Sequence, residues 1–120
     1  MKILVVDDEP GELVLYREVL PGFEHEGYLS AESALAALRD HGRDFAFAIV
    51  DLMMPGMSGL EFLAEAKVIA PEMPTIVVSC LGEWHAKNLA FAAGAALYIE
   101  KPIDVSRFRE LIERVRGALG

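Results

Sequence analysis

The chain has 120 residues, 53% of them hydrophobic and 25% charged, which is a globular balance for one domain with its own core. A formal charge of -8 excludes nucleic acid or anionic lipid as a partner held by charge alone. The single cysteine, Cys80, excludes a disulfide framework and a thiolate zinc cluster. The apolar run at the N-terminus is too short for a signal peptide and no run reaches membrane-spanning length, so a small cytoplasmic domain over residues 1–120 is expected, with no membrane partner.

In chain order, the first predicted strand is Ile3-Leu4-Val5-Val6, short, β-branched and apolar throughout, as suits a parallel strand buried on both faces. A helix is predicted over 12–20, ended by Pro21-Gly22. Residues 23–29 alternate polar and apolar side chains around His25 and Gly27 and read as an exposed edge strand. A second helix over 31–41 has Ser30 as N-cap and Gly42 as its end. The third strand, 45–50, is followed by a helix opening on Ser58-Gly59-Leu60-Glu61, the spacing of a capping box. Then come a strand over 75–78, an Ala-rich helix over 83–93 ended by Gly94, and a strand over 96–99. The last helix starts near Asp104 and lines up Val105, Phe108, Leu111, Ile112 and Val115 on one stripe, with charged residues opposite. Strict alternation of strands and helices implies an α/β domain with a parallel sheet and helices on both faces.

Polar residues stand at the ends of the apolar runs. Asp7 and Asp8 follow the first strand, Asp51 the third, Ser79 closes the fourth and Lys101 lies just past the fifth. In a parallel sheet these ends share one edge, where open α/β sheets place their sites. Three carboxylates brought together repel one another unless a cation intervenes, and Mg²⁺ suits a hard, carboxylate-rich site. With no His or Cys beside the acids, a soft transition-metal site fits poorly. A carboxylate can act as nucleophile toward a phosphoryl group whose charge the metal and lysine stabilise, which points to Mg²⁺-dependent phosphoryl chemistry on an aspartate.

Several stretches carry a resemblance: Ile3-Leu4-Val5-Val6-Asp7-Asp8-Glu9-Pro10, Asp51-Leu52-Met53-Met54-Pro55-Gly56-Met57-Ser58-Gly59, the strand ending in Ser79, Ala93-Gly94-Ala95, and Tyr98 with Lys101-Pro102. In this order they resemble the receiver domain of two-component response regulators, from Met1 to the final helix. The resemblance implies a flavodoxin-like doubly wound sheet in strand order 2-1-3-4-5 and a bacterial phosphorelay role. It implies that Asp51 accepts a phosphoryl group from a sensor histidine kinase or a histidine phosphotransfer protein. Asp8 would hold Mg²⁺ (or Mn²⁺ in its place) directly and Asp7 through water, joined by an Asp51 oxygen and the Met53 carbonyl. Lys101 would pair with the phosphoryl group, Ser79 would hydrogen-bond it, and the backbone amides of Met53 and Cys80 would face its oxygens. The resemblance also implies a cis Lys101-Pro102 bond, Tyr98 as switch aromatic, and an altered surface on the fourth helix, fifth strand and fifth helix. A weak homodimer through that surface rests on the resemblance alone.

Each residue has a plainer reading. Asp7, Asp8 and Asp51 alone are turn formers, Ser79 a polar strand end, Lys101 a surface lysine and Tyr98 core filling; their joint placement favours the site. Met53, Met54 and Met57 pack or line the rim, and Pro55, Gly56 and Gly59 shape a loop. His25, His41 and His85 read as solvent-facing or helix-end residues, His41 suiting a helix C-terminus. Cys80 is expected to be a packed, inert thiol rather than a redox group. Leu81 would hinder hydrolytic water and lengthen the phosphorylated state. Trp84 reads as a partner anchor or a half-buried helix residue. A haloacid-dehalogenase-type phosphatase needs two aspartates two apart on the first strand and a cap insertion, which Asp7-Asp8-Glu9-Pro10 and this length do not provide. A pseudo-receiver, an interaction module that is never phosphorylated, is the alternative, and the intact acid, serine and lysine set speaks against it. The end at Gly117-Ala118-Leu119-Gly120 falls where the last helix would finish, as in a stand-alone regulator or, by preference, an N-terminal piece of a longer one. The domain would be a signalling switch more than an enzyme.

Overall fold

The computed structural model describes residues 2–19, 22, 24–52, 58–79 and 84–118, with the backbone alone at Val19, Arg43, Trp84 and His85. The elements alternate along the chain: β1 (Lys2–Val6), α1 (Pro10–Val19), β2 (His25–Tyr28), α2 (Ala31–His41), a 3₁₀ turn (Gly42–Asp44), β3 (Phe45–Asp51), α3 (Gly59–Ile69), β4 (Thr75–Ser79), α4 (Trp84–Ala92), β5 (Leu97–Glu100) and α5 (Val105–Ala118). The strands form one sheet in the order β2-β1-β3-β4-β5, and every neighbouring pair is parallel. This is the expected doubly wound order, with the polar strand 25–28 at one edge.

The period of two along each strand sorts its side chains into two cores. Leu4, Val6, Ala48, Val50 and Val77 meet Leu35 and Leu38 of α2, Phe62, Leu63 and Ala66 of α3, and Ala86 and Ala90 of α4. Ile3, Val5, Phe47, Ile49, Ile76 and Val78 meet Tyr16 of α1 and Phe108 and Ile112 of α5. Full burial of a Val, Leu or Ile side chain contributes roughly 1.5–3 kcal/mol, so these all-apolar strands hold the sheet between its two helical layers. The Tyr16 and Phe108 rings lie 6.1 Å apart and tie α1 to α5. Arg109 adds to the tie by donating through Nη2 to the Glu18 carbonyl at 2.9 Å, satisfying an otherwise open acceptor in the last turn of α1.

Local signals set most boundaries. Ser30 Oγ caps α2 by accepting from the Ser33 amide at 3.1 Å. At α3 the capping box is complete: the Glu61 amide donates to Ser58 Oγ at 3.2 Å, and the Ser58 amide to Glu61 Oε1 at 3.5 Å. Asp104 Oδ1 accepts from the Arg107 amide at 3.1 Å and opens α5. Gly94, with φ of 107°, ends the α4 segment in a conformation that a side chain would oppose.

Several expectations shift. Helix α1 starts at Pro10 instead of residue 12, because proline suits the first helical position, where its missing N–H removes no bond. The edge strand is shorter than 23–29, and β5 runs one residue later than expected. Gly42 keeps a right-handed φ of -56° and leads into the 3₁₀ turn, so it does not reverse the chain. Val105 stands 42% exposed at the start of α5 and drops out of the buried stripe, whose centre is Phe108 and Ile112. Among the described residues no helix is long and apolar enough to cross a membrane.

Candidate functional site at the carboxyl edge of the sheet

Parallel pairing brings the carboxyl ends of β1, β3, β4 and β5 to one edge. Asp7 follows β1 directly, Asp51 is the last residue of β3, Ser79 is the last of β4, and Lys101 follows β5. The ladder extends one step past the strand: the Lys101 amide donates to the Ser79 carbonyl at 2.8 Å, which sets where the lysine leaves the sheet. The Lys101-Pro102 bond is cis. Asp7, Asp51 and Ser79 are all buried, Asp7 and Ser79 completely.

One carboxylate oxygen from each of Asp7, Asp8 and Asp51 lies within 4.8 Å of the others. Lys101 Nζ reaches into this group, 3.1 Å from Asp51 Oδ2 and 3.4 Å from Asp7 Oδ2. Asp7 turns its other oxygen to the Glu9 amide at 3.0 Å, so the residue is oriented from both sides. Burial pushes the Asp7 carboxyl up to about 6; the Asp51 charge adds to this, while the Glu9 amide and Lys101 act against it. Burial also disfavours the Lys101 ammonium. Its hydrogen bond to Asp51 and the charges of Asp51, Asp7 and Glu12 outweigh that and hold it above the usual lysine value. The negative field reaches inward: burial first, then the charges of Asp7, Glu12 and Asp51, hold the Tyr16 phenol in its neutral form.

Close backbone packing fixes Asp51. The Gly59 amide donates to the Leu52 carbonyl at 3.3 Å. A Cβ on Gly59 would lie 2.5 Å from the Asp51 carbonyl oxygen and 2.6 Å from Leu52 Cα, so only glycine lets α3 begin against the end of β3.

The structure therefore brings Asp7, Asp8, Asp51 and Lys101 together, with Ser79 at the adjacent strand end. Tyr98 is half-buried, pairs in register with Val77, and packs against the core on the α2–α4 face. Met53 and Cys80 lie outside the described residues, as do Met54, Pro55, Gly56, Met57, Leu81 and the side chains of Trp84 and His85. His25 begins β2, at the end of the sheet away from the acids, and His41 ends α2 with Nδ1 3.9 Å from Asp44 Oδ2. Sequence reasoning missed Glu12, whose Oε2 lies 3.7 Å from Lys101 Nζ. The available signal is its place in the first turn of the helix that follows Asp7 and Asp8.

For a divalent cation the donor chemistry fits: three hard carboxylates converge, and the two buried ones, Asp7 and Asp51, share one lysine as their cation.

A five-stranded parallel sheet in this order, with helices on both faces and acids at its carboxyl edge, defines the flavodoxin-like class. Within that class the chain belongs to the response regulator receiver domain family, which it matches over residues 3–113. The two-component response regulator PhoP of Pseudomonas aeruginosa is 32% identical over 124 residues, covering 99% of this chain and 52% of that protein. Sporulation initiation phosphotransferase F of Bacillus subtilis is 32% identical over 116 residues, covering 94% of this chain and 91% of that one. The chain thus spans about half the length of PhoP and nearly all of the phosphotransferase. The receiver domain of NtrX from Brucella abortus superimposes with a TM-score of 0.86 at 34% identity, covering 95% of this chain and 97% of that one.

Proposed function

We propose that residues 1–120 act as a phosphoacceptor switch in a cytoplasmic two-component pathway, with Asp51 as the acceptor and a phosphohistidine of a sensor kinase or phosphotransfer protein as the donor. The carrying observation is the Lys101 ammonium 3.1 Å from Asp51 Oδ2 inside the acid cluster. An Asp51 oxygen attacks phosphorus, the phosphorus–nitrogen bond of the donor breaks, and its electron pair leaves with the imidazole, giving an acyl phosphate on Asp51.

Asp7, Asp8 and Asp51, with the Met53 carbonyl, would hold Mg²⁺. When bound, Mg²⁺ neutralises the acids and offers positive charge to the phosphoryl oxygens. Lys101 pairs with the new phosphoryl group, the Ser79 hydroxyl and the amides of Met53 and Cys80 hydrogen-bond it, and Tyr98 turns inward as Ser79 moves. The result is a shifted population on the α4–β5–α5 surface, where a second copy would dock weakly. Membership of the receiver family supports this reading over that of an unphosphorylated interaction module.

The test is incubation with acetyl phosphate and Mg²⁺, followed by intact-protein mass. A phosphoryl adduct that needs Mg²⁺ is expected on the wild type. Its absence would favour the pseudo-receiver.

A further inference from the structure

Glu12 reaches the lysine of the acid cluster although nothing in the chemistry above requires it. Its Oε2 is sealed from solvent and receives no hydrogen bond among the described residues. A carboxylate oxygen withdrawn from water without a donor is strongly disfavoured unless a charge compensates it. Lys101 Nζ, 3.7 Å away, supplies that charge. An ammonium has three donors. Asp51 and Asp7 each lie within hydrogen-bond reach of this one, and Glu12 is its third acidic neighbour.

We infer that Glu12 is a positioning residue for Lys101, drawing the ammonium toward α1 in the free domain and opposing its movement to a phosphoryl group on Asp51. The inference rests on the reading of Asp51 as phosphoacceptor. Glu12 joins Asp7 and Asp51 as the third carboxylate around Lys101, beside the cluster those two form with Asp8. Its charge strengthens the field that attracts a divalent cation and repels an incoming phosphoryl group. Once Lys101 follows the phosphoryl oxygens, the sealed Oε2 also loses its nearest cation. A cation and a phosphoryl analogue therefore feel Glu12 with opposite sign.

The experiment measures two affinities of the whole chain: Mg²⁺ alone by calorimetry, and beryllium trifluoride at saturating Mg²⁺ by fluorine NMR. The isosteric Glu12→Gln should weaken Mg²⁺ binding roughly threefold to tenfold and tighten beryllium trifluoride binding by a similar factor, both effects shrinking as salt rises. Glu12→Ala, which removes the charge and favours the helix, should give the same opposed shifts and guards against a folding defect in the first variant. A merely structural role would move both affinities the same way; that result, or no shift in either, overturns the role of Glu12. A wild type that binds Mg²⁺ but takes no beryllium trifluoride instead overturns the phosphoacceptor reading, and this inference falls with it.

Discussion

Lys101 and Asp51, 50 residues apart in sequence, meet through Nζ and Oδ2 at 3.1 Å across the carboxyl edge of the sheet. Both side chains are largely shielded, 14% and 7% exposed, so neither charge is fully stabilised by water. Asp7, with only 1% of its side chain exposed, depends on the same ammonium.

Removing that ammonium should be felt in stability as well as chemistry. Lys101→Ala leaves two buried carboxylates facing each other and is expected to destabilise the metal-free domain by about 3 kcal/mol at neutral pH. Urea unfolding checks this, and Mg²⁺ should restore part of the loss by neutralising the acids. A loss of under about 0.5 kcal/mol would show that the pair is solvated in solution.

Asp8 is the half-exposed member of the acid cluster, and its side chain can be removed without opening the core. Asp8→Ala should leave the thermal midpoint of the metal-free domain near that of the wild type and weaken Mg²⁺ binding at least tenfold. Calorimetric titration gives the affinity; an unchanged value would overturn the assignment of Asp8 as a ligand.

Gly59 and Gly11, one at the start of α3 and one in α1, should behave oppositely. Gly59→Ala forces a Cβ against backbone at the end of β3, and should cost about 1–3 kcal/mol while displacing Asp51 and slowing its phosphorylation. Gly11 lies within α1 with nothing within 4 Å of a Cβ built on it, so Gly11→Ala should stabilise by about 0.5–1 kcal/mol. Chemical denaturation of both variants measures the two signs.

Glu26 on the edge strand accepts from Lys2 Nζ at 2.6 Å and from the Tyr28 hydroxyl at 2.8 Å. These bonds, that of Lys2 first, hold its carboxyl below the usual glutamate value. A depressed folded-state value stabilises the fold above the ordinary glutamate range and loses that contribution as pH falls through it. NMR titration should place Glu26 below the other exposed glutamates, and Lys2→Met should move it back toward them. An unmoved value in the variant would mean that the pair does not persist in solution.

Much of this geometry is legible in the sequence because β1, β3 and β4 are apolar at nearly every position, so the first polar residue after each apolar run marks a strand end. Asp7, Asp51 and Ser79 fall at one edge for that reason once the strands are parallel, and Lys101 follows one residue past the first polar residue of the fifth run. Their contact distances were not legible, since these depend on how far the ladder runs: β5 continues to Glu100, and one further bond from Lys101 aims its side chain. Glu12 is hidden because it stands at the start of a predicted helix and not at a strand end, and its approach to Lys101 depends on how α1 packs across the edge of the sheet. The exposure of Val105 was hidden too, since a stripe of apolar residues does not say where the neighbouring core ends.

The central claim is that Asp51 itself carries the phosphoryl group. Borohydride reduction after incubation with acetyl phosphate and Mg²⁺ converts an aspartyl phosphate to homoserine, which peptide mass analysis locates. The account predicts homoserine at position 51 alone, lost without Mg²⁺ and absent from a folded Asp51→Asn variant. Homoserine at another aspartate, or an adduct that persists in Asp51→Asn, would contradict it.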